Sequence, residues 1–187
     1  MFRSLLPLLI AALPGFGMSV TAVAEEQLAL FSAEGYRQTQ YRSPTPATAE
    51  GAQTLDTAAL QALLAKEPDV VLVDVYRSQW LAGRFVDSEP HANLPGSIWL
   101  ANTGDGNLQP EWASYFSDNL KRLSQGDAER PLVFYCRSDC WLGWNATRRA
   151  HALGYKRLYW YRDGVDGWEQ AGLPLHPATP EPLPGDD

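Results

Sequence analysis

The sequence predicts an open parallel α/β sheet with helices packed on both of its faces. Two observations carry this prediction. Val70-Val-Leu-Val-Asp-Val75 and Pro131-Leu-Val-Phe-Tyr-Cys136 are nearly continuous apolar runs with no polar face, and they alternate with segments of helical period. A strand that is apolar on both sides must be covered on both, and parallel neighbours need long crossovers that helices supply.

Taken in order, Met1-Phe-Arg-Ser-Leu-Leu begins with one positive charge and a short apolar stretch, and Ala22-Val-Ala24 supplies the small residues a signal peptidase accepts. Residues 1–24 therefore read as a cleaved export signal. Residues 25–53 are polar and turn-rich, with Arg42-Ser-Pro-Thr-Pro46 and no sustained period, and are expected to form an extended arm on the domain that follows. The folded domain is expected over residues 54–176. Asp56 can cap a helix carrying Leu60, Leu63 and Leu64, with Leu55 stapled against Leu60. Val70–Val75 is a buried strand and Ser97-Ile-Trp-Leu100 a short one. Pro110 and Gly126 bracket a helix whose Trp112, Tyr115, Phe116, Leu120 and Leu123 fall at helical spacing. Pro131–Cys136 is a third strand, Asn145–Leu153 a helix closed by Gly154, and Lys156–Tyr161 a fourth strand. Residues 177–187 hold four prolines and are expected to be a flexible tail.

The chain has 187 residues, which suits one domain, and 22 acidic against 15 basic residues give a formal charge of -7 with no basic stripe. That balance argues against a nucleic-acid partner, and no membrane association is expected once the signal is removed. Export, most naturally to a bacterial periplasm, places the two cysteines, Cys136 and Cys140, where a disulfide can persist.

Ligands of such folds gather at the carboxyl ends of the strands, and Cys136 ends one. Backbone N–H groups in the loop and at the following helix N-terminus favour an anion there, so the thiol is expected to be acidified toward thiolate and suited to nucleophilic group transfer. Cys140, four residues on, could resolve a persulfide or sulfenate on Cys136 by forming a disulfide, or it could be a small buried residue without chemistry. As a staple the bond would close a loop of about five residues and stabilise the fold by only roughly 2 kcal/mol. Three histidines at unrelated spacings give no zinc or haem motif, although the two thiols with His151 could accept a soft metal; no metal site is assigned. Trp141 and Trp144 with Arg137 form either an aromatic, cationic lip for a ligand or ordinary packing. Arg148 and Arg149 are either solvated charges or steering groups for an anion.

Val71-Leu-Val-Asp-Val75, Asn93-Leu-Pro-Gly-Ser97, Pro131–Cys136 and Asp163-Gly-Val-Asp-Gly-Trp168-Glu-Gln-Ala-Gly-Leu-Pro174 resemble, in order, the landmarks of a rhodanese-like domain. The resemblance implies a five-stranded parallel α/β fold whose one nucleophilic cysteine forms a persulfide, with Cys136 in that position and no cofactor. It makes Arg137, Ser138, Asp139, Trp141, Leu142 and Gly143 the substrate-binding loop and Asp74 and Arg77 supporting residues. It also implies a small sulfur-containing anion or a thiol acceptor as partner. More narrowly, Cys136-Arg-Ser-Asp-Cys140-Trp141 and the arm are similar to a bacterial subfamily named for a Cys-Cys-Trp motif and associated with alcohol catabolism by pyrroloquinoline quinone (PQQ) enzymes, which implies a periplasmic PQQ-dependent dehydrogenase as a further partner.

The departures are specific. Asp139 and Cys140 occupy the middle of a loop where the family carries glycine and arginine, and the helix after it is expected to start late. The Cys-x5-Arg pattern of rhodanese-like phosphatases is broken by Leu142. Asn93, with His91 two residues earlier, replaces the family's histidine, and Asp74-Val75-Tyr76-Arg77 replaces its Asp-Val-Arg; Asp74 either buttresses the active loop or caps its strand. Three functions remain open at this level: a sulfur carrier or sulfurtransferase, a thiol–disulfide redox or cofactor-handling accessory cycling Cys136 with Cys140, and a binding module that keeps the fold without catalysis.

Overall fold

The computed structural model describes residues 30–86 and 90–183. The expected export signal lies outside the described residues. Five parallel strands form the central sheet: β1 (Ala52–Leu55), β2 (Val71–Asp74), β6 (Ile98–Trp99), β7 (Leu132–Tyr135) and β8 (Leu158–Tyr161), in the order β1-β8-β7-β2-β6. The helices are α1 (Thr57–Lys66), α2 (Pro110–Ser124), α3 (Trp141–Ala152) and α4 (Gly164–Gln170). Alternation along β7 explains the two-faced core. Leu132 and Phe134 pack with Phe116 and Leu120 of α2 and Ala146 and Ala150 of α3, while Val133 and Tyr135 pack with Leu60 of α1 and Val165 and Trp168 of α4. The α/β fold with helices on both faces is thus the one the apolar runs require.

Local rules hold at several ends. Asp56 caps α1 by accepting from the Ala59 N–H at 2.8 Å, and Pro110 opens α2, which closes on Gln125 in the left-handed region. Three features differ from expectation. Residues 52–55, which straddle the expected boundary between arm and domain, form the edge strand β1 beside β8. A hairpin of β3 (Gln79–Leu81) and β4 (Arg84–Val86) gathers Trp80, Phe85 and Trp112 into one aromatic cluster. The expected flexible tail is instead tied down over residues 177–183. β9 (His176–Pro177) pairs with β5 (Ala92–Asn93), the Ala178 and Glu181 N–H groups donate to the carbonyls of His91 and Trp99, and Glu181 accepts from the Tyr115 hydroxyl. Between prolines that cannot donate, these two N–H groups suffice to hold an edge segment.

Candidate active site

Cys136 follows β7 directly, at the carboxyl end of the central strand. Its carbonyl accepts from the Val165 N–H at 3.0 Å, which fixes the strand end against the start of α4. Gly164 makes that approach possible: its φ is +60°, and a Cβ there would sit 2.5 Å from the Arg137 carbonyl carbon and 2.6 Å from the Cys136 oxygen.

The helix after the loop starts at Trp141 with Cys140 as its N-cap, four residues earlier than expected. The reason is Gly143. Read in sequence as a loop residue, it is a packing residue, since a Cβ would lie 3.2 Å from Tyr135 Cα; without one, the first turn of α3 rests on the end of β7 and the Gly143 N–H donates to Cys136 Sγ at 3.3 Å. The loop proper is Arg137, Ser138 and Asp139, with Asp139 in the left-handed region at φ +46° so that the chain reverses into Cys140.

Both thiols are free and both residues are only 2% exposed. Cys136 Sγ lies 3.5 Å from the Cys140 carbonyl and 3.8 Å from that of Arg137, positions from which its S–H donates. The expected acidification falls on the other cysteine. Burial, then contact with Cys140, pushes the Cys136 thiol up, whereas the hydrogen bond from Cys136, helped by the Leu142 and Arg137 N–H groups and by Arg42, outweighs burial and brings Cys140 down to about 7. Of the two thiols, Cys140 is therefore the more acidic.

A carboxylate that sequence reasoning did not assign to the site organises this loop. Asp166, on α4, accepts from Arg137 Nε at 3.1 Å and Nη2 at 2.8 Å, and from the Ser138 N–H at 3.0 Å and hydroxyl at 2.9 Å. Arg42 Nη1 reaches the same carboxylate at 3.4 Å and the Ser138 carbonyl at 2.5 Å. Burial alone would raise the Asp166 pKa, but the Arg137 and Ser138 donors more than offset it and hold it at about 2. Asp166 was visible only as part of the Asp163-Gly-Val-Asp-Gly landmark; no local spacing links it to a loop almost thirty residues earlier.

The arm closes over the site. The Tyr41 carbonyl accepts from the Trp141 N–H at 2.9 Å, the Asp139 carbonyl from the Ser43 N–H at 3.1 Å, and the Ser43 hydroxyl from Trp141 Nε1 at 3.0 Å. Buried Asn145 clamps both the N–H and carbonyl of Arg37, whose guanidinium lies between Phe31 and Trp141. Trp141 and Trp144 are thus packing residues beneath the arm, and Leu142 is in the core. Arg148 and Arg149 are neither free charges nor anion guides: they donate to the carbonyls of Gly35, Thr103 and Asp105.

Asp74 and Arg77 do not touch the cysteine loop. Fully buried Asp74 holds His91 Nε2 at 2.6 Å and the Tyr76 N–H at 2.9 Å, so it caps its strand and fixes the crossover; Arg77 pairs with Asp105 and lies over Tyr41. Burial raises the Asp74 pKa, an effect His91 opposes. His91 stacks between Tyr76 and Trp99 and, with them, lines a cavity of about 600 Å³ that neither cysteine lines. Among the described residues no group of three or more His, Cys, Asp or Glu side chains is placed to hold a metal ion, and His151 packs against Gly51.

The geometry is that of a strand-end thiol beneath a helix N-terminus. The chain is similar in fold to a thiosulfate sulfurtransferase from Pseudomonas aeruginosa, at 17% identity and a TM-score of 0.50, with 73% of this chain covered; it spans only 22% of that protein's length. It is also similar to a polysulfide-sulfur transferase homodimer from Wolinella succinogenes, at 19% identity and a TM-score of 0.45, covering 67% of this chain and 79% of the other. No curated protein matches the chain. The rhodanese-like domain family matches residues 56–171, the stretch that holds α1 to α4, four of the five strands of the central sheet and the Cys136 loop, and the chain belongs to that family.

Proposed function

We propose that the chain is a sulfur carrier or sulfurtransferase that takes sulfane sulfur from a small anion as a persulfide on Cys136. The observation that carries this reading is the placement of Cys136 Sγ, at the carboxyl end of the central strand and under the Gly143 N–H at the start of α3, in a rhodanese-like domain. An N–H at a helix start stabilises the anion of a thiolate and of the persulfide that replaces it. Asp166 keeps the loop in that shape. The sulfur-transferring proteins of similar fold support the same substrate class. With thiosulfate, loading releases sulfite. The expected result is one sulfite per protein for the wild type and none for Cys136→Ala; equal sulfite from the two proteins rejects the reading.

A second reading, reversible thiol–disulfide cycling, is favoured by one observation, the placement of both free cysteines in one buried turn with Cys136 Sγ 3.5 Å from the Cys140 carbonyl. It requires that mild oxidant convert both thiols to one intramolecular disulfide. The proposed location is the periplasm, supported by the leader-like residues 1–24. The proposed association with PQQ-dependent alcohol oxidation rests on the Cys136-x-x-x-Cys140-Trp141 resemblance. Co-purification with such a dehydrogenase from periplasm tests both.

A further inference from the structure

Building on the sulfane-sulfur reading, we propose that the loop is a persulfide reductase: Cys140 attacks sulfur-loaded Cys136, expels hydrosulfide and leaves a Cys136–Cys140 disulfide that an external dithiol reduces. Three features of the loop lead there.

The first is proximity. The chain's two cysteines are in the same turn, with Cys136 Sγ 3.5 Å from the Cys140 carbonyl oxygen and the reversal at Asp139 bringing the second cysteine back over the first. The second is the difference in surroundings. Cys136 Sγ faces the carbonyls of Arg137 and Cys140, which accept a proton, whereas Cys140 is the N-cap of α3, where the positive end of the helix dipole favours a thiolate. Cys140 is thus placed to remove the Cys136 proton before loading and to act as nucleophile after it. The third is access. Both residues are 2% exposed beneath the arm, so a dissolved donor or acceptor must lift Tyr41–Ser43 to reach Cys136, while Cys140 lies in the same buried turn as the persulfide whether the arm is open or closed. A neighbouring group held in place reacts at an effective molarity far above that of any dissolved acceptor, so the internal route wins.

The steps balance. Cys140 thiolate takes the Cys136 proton. Cys136 thiolate then attacks the sulfane sulfur of thiosulfate, forming the Cys136 S–S bond and breaking the donor's, and sulfite leaves with the electron pair. The proton passes from Cys140 to the outer sulfur. Cys140 thiolate attacks the inner sulfur, the Cys136–Cys140 bond forms, and the outer sulfur leaves as HS⁻. The sulfane sulfur gains two electrons, the two cysteines supply them, and a dithiol restores the cysteines by two exchange steps, becoming a cyclic disulfide. The physiological acceptor is then a dithiol reductant and not a cyanide-like nucleophile.

The test follows sulfite, hydrosulfide and protein mass together on the full chain after reduction, removal of reductant and addition of thiosulfate. The expected wild-type result is one sulfite and one hydrosulfide per protein, with the protein two hydrogens lighter; adding dithiothreitol then makes both products continue through many turnovers. Cys140→Ser is expected to release sulfite, more slowly, and to stay one sulfur atom heavier on the Cys136 peptide, with no hydrosulfide until dithiothreitol is added. Sulfite with a stable wild-type persulfide and no hydrosulfide overturns this inference and leaves the sulfur-carrier reading standing. No sulfite from the wild type overturns both.

Discussion

Replacing Asp166 with asparagine removes one charge from the centre of the loop while keeping its shape. In the native protein the carboxylate takes four hydrogen bonds from Arg137 and Ser138 and one from Arg42. Holding its pKa at about 2 instead of the ordinary 3.8 corresponds to roughly 2.5 kcal/mol at about 1.36 kcal/mol per unit. The guanidinium partners are 44% and 52% exposed, so solvent screening reduces this to about 1 kcal/mol. The sign follows from the lowered pKa. The contribution is fully present above the unfolded value near 4 and is lost as pH falls through about 2. Asp166→Asn is therefore expected to lower the free energy of unfolding in urea by about 1 kcal/mol at neutral pH, and the gap from wild type should shrink in acid. Because the loss falls on the loop, the open state should be populated about fivefold more, and Ellman's reagent should modify the two thiols about fivefold faster. A variant with the wild-type urea midpoint and the wild-type rate of thiol modification would refute the role assigned to Asp166.

Three further outcomes follow from the same geometry. Arg42→Ala removes an exposed pair worth about 0.5 kcal/mol, so thiol modification by Ellman's reagent should rise about twofold with only a small fall in the urea midpoint; an unchanged rate means the arm does not gate the site. Gly164→Ala puts a Cβ 2.5 Å from the Arg137 backbone at a positive φ and should cost about 2 kcal/mol or more in urea unfolding, whereas wild-type stability would show that α4 does not fix the loop. Iodoacetamide should alkylate wild-type Cys140 with a rate that rises around pH 7; in Cys136→Ala that rise should shift to higher pH because the neighbouring thiol that lowers it is gone, and an unshifted profile would contradict the coupling of the two thiols.

Much of the fold was legible because it rests on strong, local patterns. The runs at Val71–Asp74 and Leu132–Tyr135 are apolar on both faces and could only be interior strands, and Asp56 marked the start of α1 by its own side chain. Cys136 was legible as a strand-end thiol for the same reason. What sequence reading missed is decided by contacts between distant segments. Gly143 has the same composition whether it loosens a loop or lets a helix touch a strand, and only the neighbouring Tyr135 backbone distinguishes the two. Residues 52–55 lack a strand-like run and become β1 by pairing with β8. Arg148 and Arg149 look like solvated charges until the arm supplies the Gly35 carbonyl to the first and the segment after β6 the Thr103 carbonyl to the second. Helix position favours both cysteines; that burial raises the Cys136 thiol, and that its sulfur faces the Cys140 and Arg137 carbonyls, is decided by packing no local pattern encodes.

The most direct test of the central claim is the mass of the peptide containing Cys136 in the Cys140→Ser protein after exposure to thiosulfate, with thiols trapped by alkylation and sulfite counted in the same sample. The account predicts one added sulfur atom on Cys136, matched by one sulfite released. A peptide of unchanged mass with no sulfite, or sulfur found on any other residue, would contradict the assignment of Cys136 as the sulfur-carrying residue.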